Sequence, residues 1–339
     1  MKKSNKEIKV LLVHNFLASF VKNDINLLEK NFDLSVFDWN SEKNFIIKII
    51  KIMMIISKVD IVYCWFAWSY SGFVIFLCRL LRKKSIIIAG GGDVGYAPEI
   101  NYGQFIIKGY KIKLTKYALK NADMILPVSN FTKNELLDKV KPKNYRVVYN
   151  GVDVKKYPPK FDKQKDLVVL VGGLKESNLK RKGIITFVKA AKYLPDIRFV
   201  VIGKHYGDSV EKLRSIASKN VEFPGRVSSE KLLWYYQNAK VVCLLSFYEA
   251  FGLSAAEGML CGCIPVVTSD RTGIPEFVGD CGFYVSYGDE KQTADAVGKA
   301  IKSTKKDYEK CHKMIVENFS LEKREKRLVK VIRRMLDKK

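Results

Sequence analysis

Two glutamates, Glu249 and Glu257, frame the stretch of this chain richest in chemistry, SFYEAFGLSAAEGMLCGCIPVVTS (Ser246–Ser269). An apolar run, VVCLLS, ends at Ser246. A loop, FYEAFG, follows, and helical periodicity starts near Gly252, so Glu249 precedes a helix and Glu257 lies on it. A carboxylate can accept two hydrogen bonds from neighbouring hydroxyls, as a ribose presents them. The amides of Phe251, Gly252 and Leu253 open the helix, where unpaired N–H groups and the positive end of the helix dipole suit a phosphate. Gly252 lets the backbone approach a ligand closely. Two glutamates alone would equally fit a solvated loop and a helix surface. EAFG, EGMLCG and PVV at these spacings favour the ligand-binding reading.

Such a loop needs a sheet to hold it. Short, β-branched runs alternate with helical patterns along the whole chain. IKVLLVHN, LSVFDW, VDIVYCWF, KSIIIAGG, ADMILPVS and YRVVYNG form a first series of strands. Asn44–Lys58, Ser71–Arg82, Phe105–Lys120 and Asn130–Val140 read as helices between them. DLVVLVGG, IRFVVIGK, NVEFPGR, AKVVCLLS, CIPVVTS and CGFYVS form a second series, with helices such as Lys182–Tyr193, Asp208–Ser218 and Gly252–Leu260. Near-continuous apolar strands alternating with helices predict parallel sheets covered on both faces. The fold class is therefore α/β, with two doubly wound, Rossmann-like domains. Residues 1–156 form the first and 157–319 the second. The boundary lies in DVKKYPPKFDKQK, and the basic amphipathic helix at 320–339 is expected to return to the first domain. Ligands bind at the carboxyl ends of such strands, so two domains facing each other would form a central cleft.

Composition narrows the partners. Sixty Lys and Arg against 35 Asp and Glu give a formal charge of +25. The excess divides almost evenly between the two halves, so it is not a nucleic-acid-binding tail. It fits an anionic surface, a phosphorylated ligand, or simply a lysine-rich soluble protein. No RNP-type aromatic motif, zinc-finger spacing or recognition-helix turn appears, so nucleic acid is not an expected partner. The seven cysteines lack framework or zinc-site spacing and read as free thiols of a cytoplasmic protein. MKKSNKEIKVLLVHN passes from a polar lead into a strand without a signal segment, and no stretch of apolar residues is long enough to span a bilayer.

With these motifs assembled, the chain resembles the retaining GT-B glycosyltransferases of the large group that carries a Glu-x7-Glu signature. Matches run in order through ILPVSNFTK (Ile125–Lys133), VVYNGVD (Val147–Asp153), LVGGLKESNLKRKG (Leu170–Gly183), VEFPGRV (Val221–Val227) and TSDRTGIPEF (Thr268–Phe277). The resemblance implies a nucleotide-sugar donor, a glycan or lipid-linked acceptor, and neither metal nor cofactor. Donor binding would involve Gly172, Gly173, Arg181, Lys182, Val227, Glu249, Phe251, Gly252, Leu253 and Glu257. Glu257 would bind the donor ribose and Val227, through its backbone, the base. Lys182 would neutralise the leaving diphosphate and Glu249 would bond a hydroxyl of the transferred sugar; these two would be the catalytic pair.

The chain departs from the family pattern at three places. Gly173 stands where many relatives have arginine, leaving Arg181 or Lys175 to supply that charge. The turn Gly90-Gly91-Gly92-Asp93 has Gly90 in place of a histidine, and Asp93 would either orient a hydroxyl or cap the turn. HNFLASFVKND lacks the usual glycines; its His14 would face the acceptor side or be structural. Asn44–Lys58, with a polar stripe of Asn44, Lys48, Lys51 and Lys58, and the lysine-rich Phe105–Lys120 would lie on the inner face of a cell membrane, or would pack with their lysines reaching outward. The rival functions are a non-catalytic glycosyltransferase-like binding subunit, a GT-B phosphorylase or epimerase, and a nucleic-acid binder.

Overall fold

The computed structural model describes residues 7–337. The polar lead before Glu7 and the last two residues of the expected helix 320–339 lie outside the described residues. The chain separates into two units, one running to Gly151 and resuming at Leu321, the other Val152–Ser320. The boundary precedes the expected one because the Val152 amide donates to Phe319 O at 2.8 Å and Val152 pairs with Ser320. Tyr157, next to the prolines of the expected linker, is already buried in the second unit.

The first unit holds five strands: β1 (Lys9–His14), β2 (Asp33–Asp38), β3 (Ile61–Trp65), β4 (Lys84–Ala89) and β5 (Met124–Pro127). They pair in parallel in the order β2-β1-β3-β4-β5. The chain reverses its direction of travel across the sheet between β1 and β3. One face buries Leu11, Val13, Val62, Cys64 and Ile87 under Ile52 and Ile56 of helix Phe45–Lys58 and Val74 and Ile75 of helix Ser69–Leu80. On the other, Arg324 of the terminal helix Leu321–Asp337 meets Asp24 in a buried two-contact ion pair at 2.6 and 2.7 Å. The same guanidinium donates to the carbonyls of Val148 and Tyr149, and the Tyr63 hydroxyl donates to Asp24. This network ties the terminal helix to the first unit.

Three expectations for this unit change. YRVVYNG does not become a regular strand, although Arg146 and Val148 donate to the carbonyls of Ile125 and Pro127 alongside β5. Gly109, at φ 82°, interrupts the expected Phe105–Lys120 helix, leaving a 3-10 turn at Gln104–Ile106 and a helix at Tyr110–Asn121. Lys48 does not join a polar stripe. It turns inward with its ammonium 5.0 Å from the centre of the Trp39 ring, while Asn44 caps the helix. The helix leaves Phe45, Ile46, Ile47, Ile50 and Met54 exposed, with Lys51 and Lys58 exposed as well.

The second unit holds β6 (Leu167–Val171), β7 (Arg198–Ile202), β8 (Val221–Gly225), β9 (Val241–Leu244), β10 (Ile264–Thr268) and β11 (Phe283–Val285). Their order is β11-β10-β9-β6-β7-β8, again all parallel. Direction reverses between β6 and β9, so the carboxyl ends of these two strands flank the crevice where open α/β sheets bind ligands. All seven cysteines are free and buried. Among the described residues no cluster of three potential metal ligands occurs, and no helix is long and apolar enough to cross a membrane.

Candidate active site

At the switch point of the second unit, β6 leads into Gly172-Gly173 and β9 into the loop that carries Glu249. Two glycines allow these segments to meet. Gly183, at φ 62°, lies so close to the end of β9 that a Cβ there would stand 2.0 Å from Leu245 O. A Cβ on Gly172 would stand 3.0 Å from Lys182 Cδ, so the lysine stem lies along the end of β6. The Phe247 amide donates to Arg181 O at 2.8 Å, joining the two loops. Lys182 does not open a helix as its sequence position suggests. It ends the short helix Glu176–Arg181, and Gly183 starts the next, Ile184–Ala190.

Lys182 Nζ lies 3.3 Å and Arg181 Nη1 3.6 Å from Glu249 Oε2. Burial alone would raise the Glu249 carboxyl, but these two cations and the Ala250 amide hold it below its ordinary range. The result is an ionised carboxylate between two fixed positive charges. Arg181 also donates to Tyr248 O at 3.3 Å and to Asn178 Oδ1 at 3.1 Å, which fixes its fork. Of the two residues considered for the charge missing at Gly173, Arg181 reaches Glu249, whereas Lys175 is exposed at the start of its helix. The backbone of Glu249 is held in turn, for Gly273 donates to Glu249 O at 2.8 Å.

Beyond Glu249 the chain turns through Gly252, at φ 100°, into helix Leu253–Leu260. A Cβ on Gly252 would stand 2.6 Å from Leu244 Cδ2, so only glycine brings this turn against β9. The Phe251 ring is a core group, packed on Phe277 and Phe319 at 5.0 and 5.7 Å. The amides of Gly252 and Leu253 belong to a helix start that offers no intrahelical acceptor. Glu257, one turn on, is half-buried and accepts from the Tyr236 hydroxyl at 3.3 Å and from the Tyr157 hydroxyl. Burial pushes its carboxyl up to about 7, against the pull of Tyr157, Lys156 and Tyr236. Two tyrosines thus aim this carboxylate and leave lone pairs for further hydroxyls. Val227 follows β8, at the edge of the same sheet end.

The first unit carries His14 and Asp93. Asp93 is fully buried, and its oxygens accept from the amides of Ala67 at 2.8 Å and Gly91 at 2.9 Å. Of its two expected roles, it performs the turn cap. His14 ends β1, is 4% exposed and leaves Nδ1 without a hydrogen-bond partner among the described residues. Burial holds its imidazole below the ordinary value, with Asp38 pulling the other way. Gly90 leaves space that another residue fills: a Cβ there would lie 2.2 Å from Phe66 Cε1.

Residues 153–334 match the family described as Glycosyl transferases group 1, and residues 35–156 match Glycosyltransferase Family 4. The chain belongs to the glycosyl transferases group 1 family. An uncharacterized glycosyltransferase of Methanocaldococcus jannaschii is 26% identical over 66% of this chain and 59% of its own length. An MMP alpha-(1->4)-mannosyltransferase of Mycolicibacterium hassiacum is 26% identical over 57% and 48%. The chain thus spans roughly half of the length of these relatives. The structure of HepE from Anabaena, in complex with UDP, superposes with a TM-score of 0.80 at 14% identity, covering 96% of this chain and 99% of that one. The two Rossmann-like sheets are those of the GT-B fold.

Within this group 1 chain, sequence reading missed Tyr157 and Tyr236, whose role depends on contacts with Glu257 that no local motif carries. It also missed Ser246 and His205. Ser246 follows β9 with a buried hydroxyl and His205 follows β7 with a buried Nε2, neither with a hydrogen-bond partner among the described residues. Both follow strands of the same sheet at its carboxyl end, the only signal that could have singled them out.

Proposed function

We propose that the protein is a retaining glycosyltransferase that moves a sugar from a nucleotide-sugar donor to a hydroxyl of a glycan or lipid-linked acceptor. One observation carries this most directly: Lys182 and Arg181 flank Glu249 at the β6/β9 switch point, beside the amides of a glycine-started helix. That is a place for a diphosphate next to a carboxylate able to hold a sugar hydroxyl. HepE was solved with UDP, which supports a uridine diphosphate donor.

In this mechanism the bond from the sugar's anomeric carbon to the diphosphate oxygen breaks toward an oxocarbenium-like state. The electron pair leaves with the diphosphate. Lys182, Arg181 and the Gly252 and Leu253 amides stabilise that growing charge more than they stabilise the substrate. The acceptor oxygen forms the new bond on the same face, and its proton passes to the departing phosphate. Glu249 orients the transferred sugar and Glu257 the ribose. The positive charge is supplied by side chains, so no metal is required. Product anomeric configuration, read by NMR after turnover with a UDP-sugar in excess EDTA, tests this. Retention supports the mechanism, and inversion or loss of turnover in EDTA contradicts it.

An acceptor at an anionic membrane surface is supported by exposed apolar side chains on the helices of the first unit. Ile46 is 70%, Met54 53% and Phe76 55% exposed, and the lysines of helix Tyr110–Asn121 rim the same helical layer. Apolar side chains with a basic border match the interface of a bilayer carrying acidic lipids.

A further inference from the structure

At the carboxyl end of the first unit's sheet, the near-parallel rings of Phe16, Phe66 and Trp68 form a three-sided stacked cluster, with Phe16 also 5.9 Å from Trp68 at 18°. Phe66 and Trp68 lie 4.9 Å apart at 9°, and Phe16 stands 5.6 Å from Phe66 at 12°. Phe16 follows β1 and the other two follow β3, so the stack sits at the β1/β3 switch point, the ligand end of such a sheet. The Phe16 ring is not withdrawn into the core, being 42% exposed with Leu17 beside it at 50%.

The fold sustains this arrangement at a cost. Phe66 holds φ at 72°, a left-handed conformation unfavourable for a bulky residue, and such strain concentrates at functional sites. Its amide is fixed on Ile88 O at 3.0 Å, and Asp93 clamps the next residue. Gly90 is the counterpart of that strain, since any side chain there would occupy the place of the Phe66 ring.

Two polar groups on the strands that lead into these rings have no hydrogen-bond partner among the described residues. The register pairs Val13 with Cys64, which puts His14 and Trp65 side by side on the opposite face of the sheet from those two. His14 Nδ1 and Trp65 Nε1 are both buried without a hydrogen bond, in residues 4% and 1% exposed. The Phe20 ring joins Trp65 to the stack, at 4.8 Å from Trp65 and 5.9 Å from Phe66. Buried polar atoms are nearly always satisfied, so two unsatisfied nitrogens beside an exposed ring stack point to a ligand with a flat C–H face and polar edges.

We propose that Phe16, Phe66 and Trp68, with Trp65 Nε1 and His14 Nδ1, bind a pyranose ring of the acceptor by stacking on one face and bonding its hydroxyl edge. The proposal rests on the transferase reading. A pyranose face carries polarised C–H groups that suit the negative face of an aromatic ring. An acyl chain would leave both nitrogens unsatisfied.

The test is the indole N–H spectrum of the 15N-tryptophan-labelled full chain, titrated with methyl glycosides and disaccharides of common hexoses. The resonances of Trp65 and Trp68 are expected to move while that of Trp234, in the second unit, stays still. Phe16→Ala, a change at an exposed position outside any helix or strand, is expected to weaken this response about tenfold. Glycosides that leave Trp65 unmoved, or an undiminished response in Phe16→Ala, would overturn the proposal. So would decanol or uridine moving these resonances where glycosides do not. UDP-sugar binding, followed by calorimetry in the same samples, separates the two readings. Donor binding without a glycoside response removes only the ring site, and a glycoside response without donor binding removes only the transferase.

Discussion

Lys182 Nζ stands 3.3 Å from Glu249 Oε2, although 67 residues separate them in the chain. The contact exists because Gly172 leaves room for the lysine stem and Gly183 lets the next turn press against Leu245. Replacing Lys182 by alanine removes a fixed cation from the proposed leaving-group site while sparing the core. Turnover with the preferred UDP-sugar is expected to fall about 10²–10³-fold, the range for losing one preorganised charge or donor. Initial-rate kinetics check this, and an unchanged rate would place the phosphate elsewhere.

The raised carboxyl of Glu257 gives a pH signature. Its value of about 7 lies above the ordinary 4.5, so between these the native protein holds a proton that the unfolded chain has lost. Stability from this group therefore declines as pH rises through that window and levels off above pH 7. Nucleotide-sugar affinity, which uses the carboxylate, is expected to rise over the upper part of the same window. Thermal unfolding and donor calorimetry from pH 5 to 8 check both trends, and Glu257→Gln is expected to flatten them.

The Arg324–Asp24 pair makes the first unit depend on its most distant segment. Either Asp24→Ala or Arg324→Met alone leaves a buried group uncompensated, at about 3–5 kcal/mol. Chemical denaturation is expected to show that loss in each single variant. The double replacement by apolar residues should recover much of it, and full additivity of the two losses would contradict the coupling.

The exposed apolar side chains of helix Phe45–Lys58 predict lipid binding. Replacing Ile46, Ile50 and Met54 by serine removes exposed side chains that touch no core, so folding should be unaffected. Cosedimentation with phosphatidylglycerol vesicles is expected to drop at least about tenfold, since each such side chain contributes roughly 1.5–3 kcal/mol when fully buried. Equal binding by the variant would assign the interaction to charge alone.

Much of this was legible in the sequence. The Glu249-to-Glu257 spacing, the glycine before the helix and eleven of the twelve strand runs carry local signals that the fold obeys. What stayed hidden was long-range. Tyr157 reaches Glu257 from a segment that reads as a linker, and nothing near Gly90 shows that Phe66 will lie over it. Lys48 follows the polar period of its helix yet turns inward, because the Trp39 face offers its ammonium a partner. The segment YRVVYNG has strand-forming residues but leaves β5 after a few hydrogen bonds, as Val148 and Tyr149 turn their carbonyls to Arg324. In each case a tertiary partner overrode a correct local preference.

The central claim is that the carboxyl ends of β6 and β9 hold the nucleotide-sugar. Calorimetric titration with UDP-, GDP- and ADP-sugars, comparing the wild type with Glu257→Ala and Lys182→Ala, tests it most directly. One donor class is expected to bind the wild type and to bind each variant at least about tenfold more weakly, a loss of about 1.4 kcal/mol. Equal affinity in all three proteins, or no binding by any sugar nucleotide, would contradict the assignment.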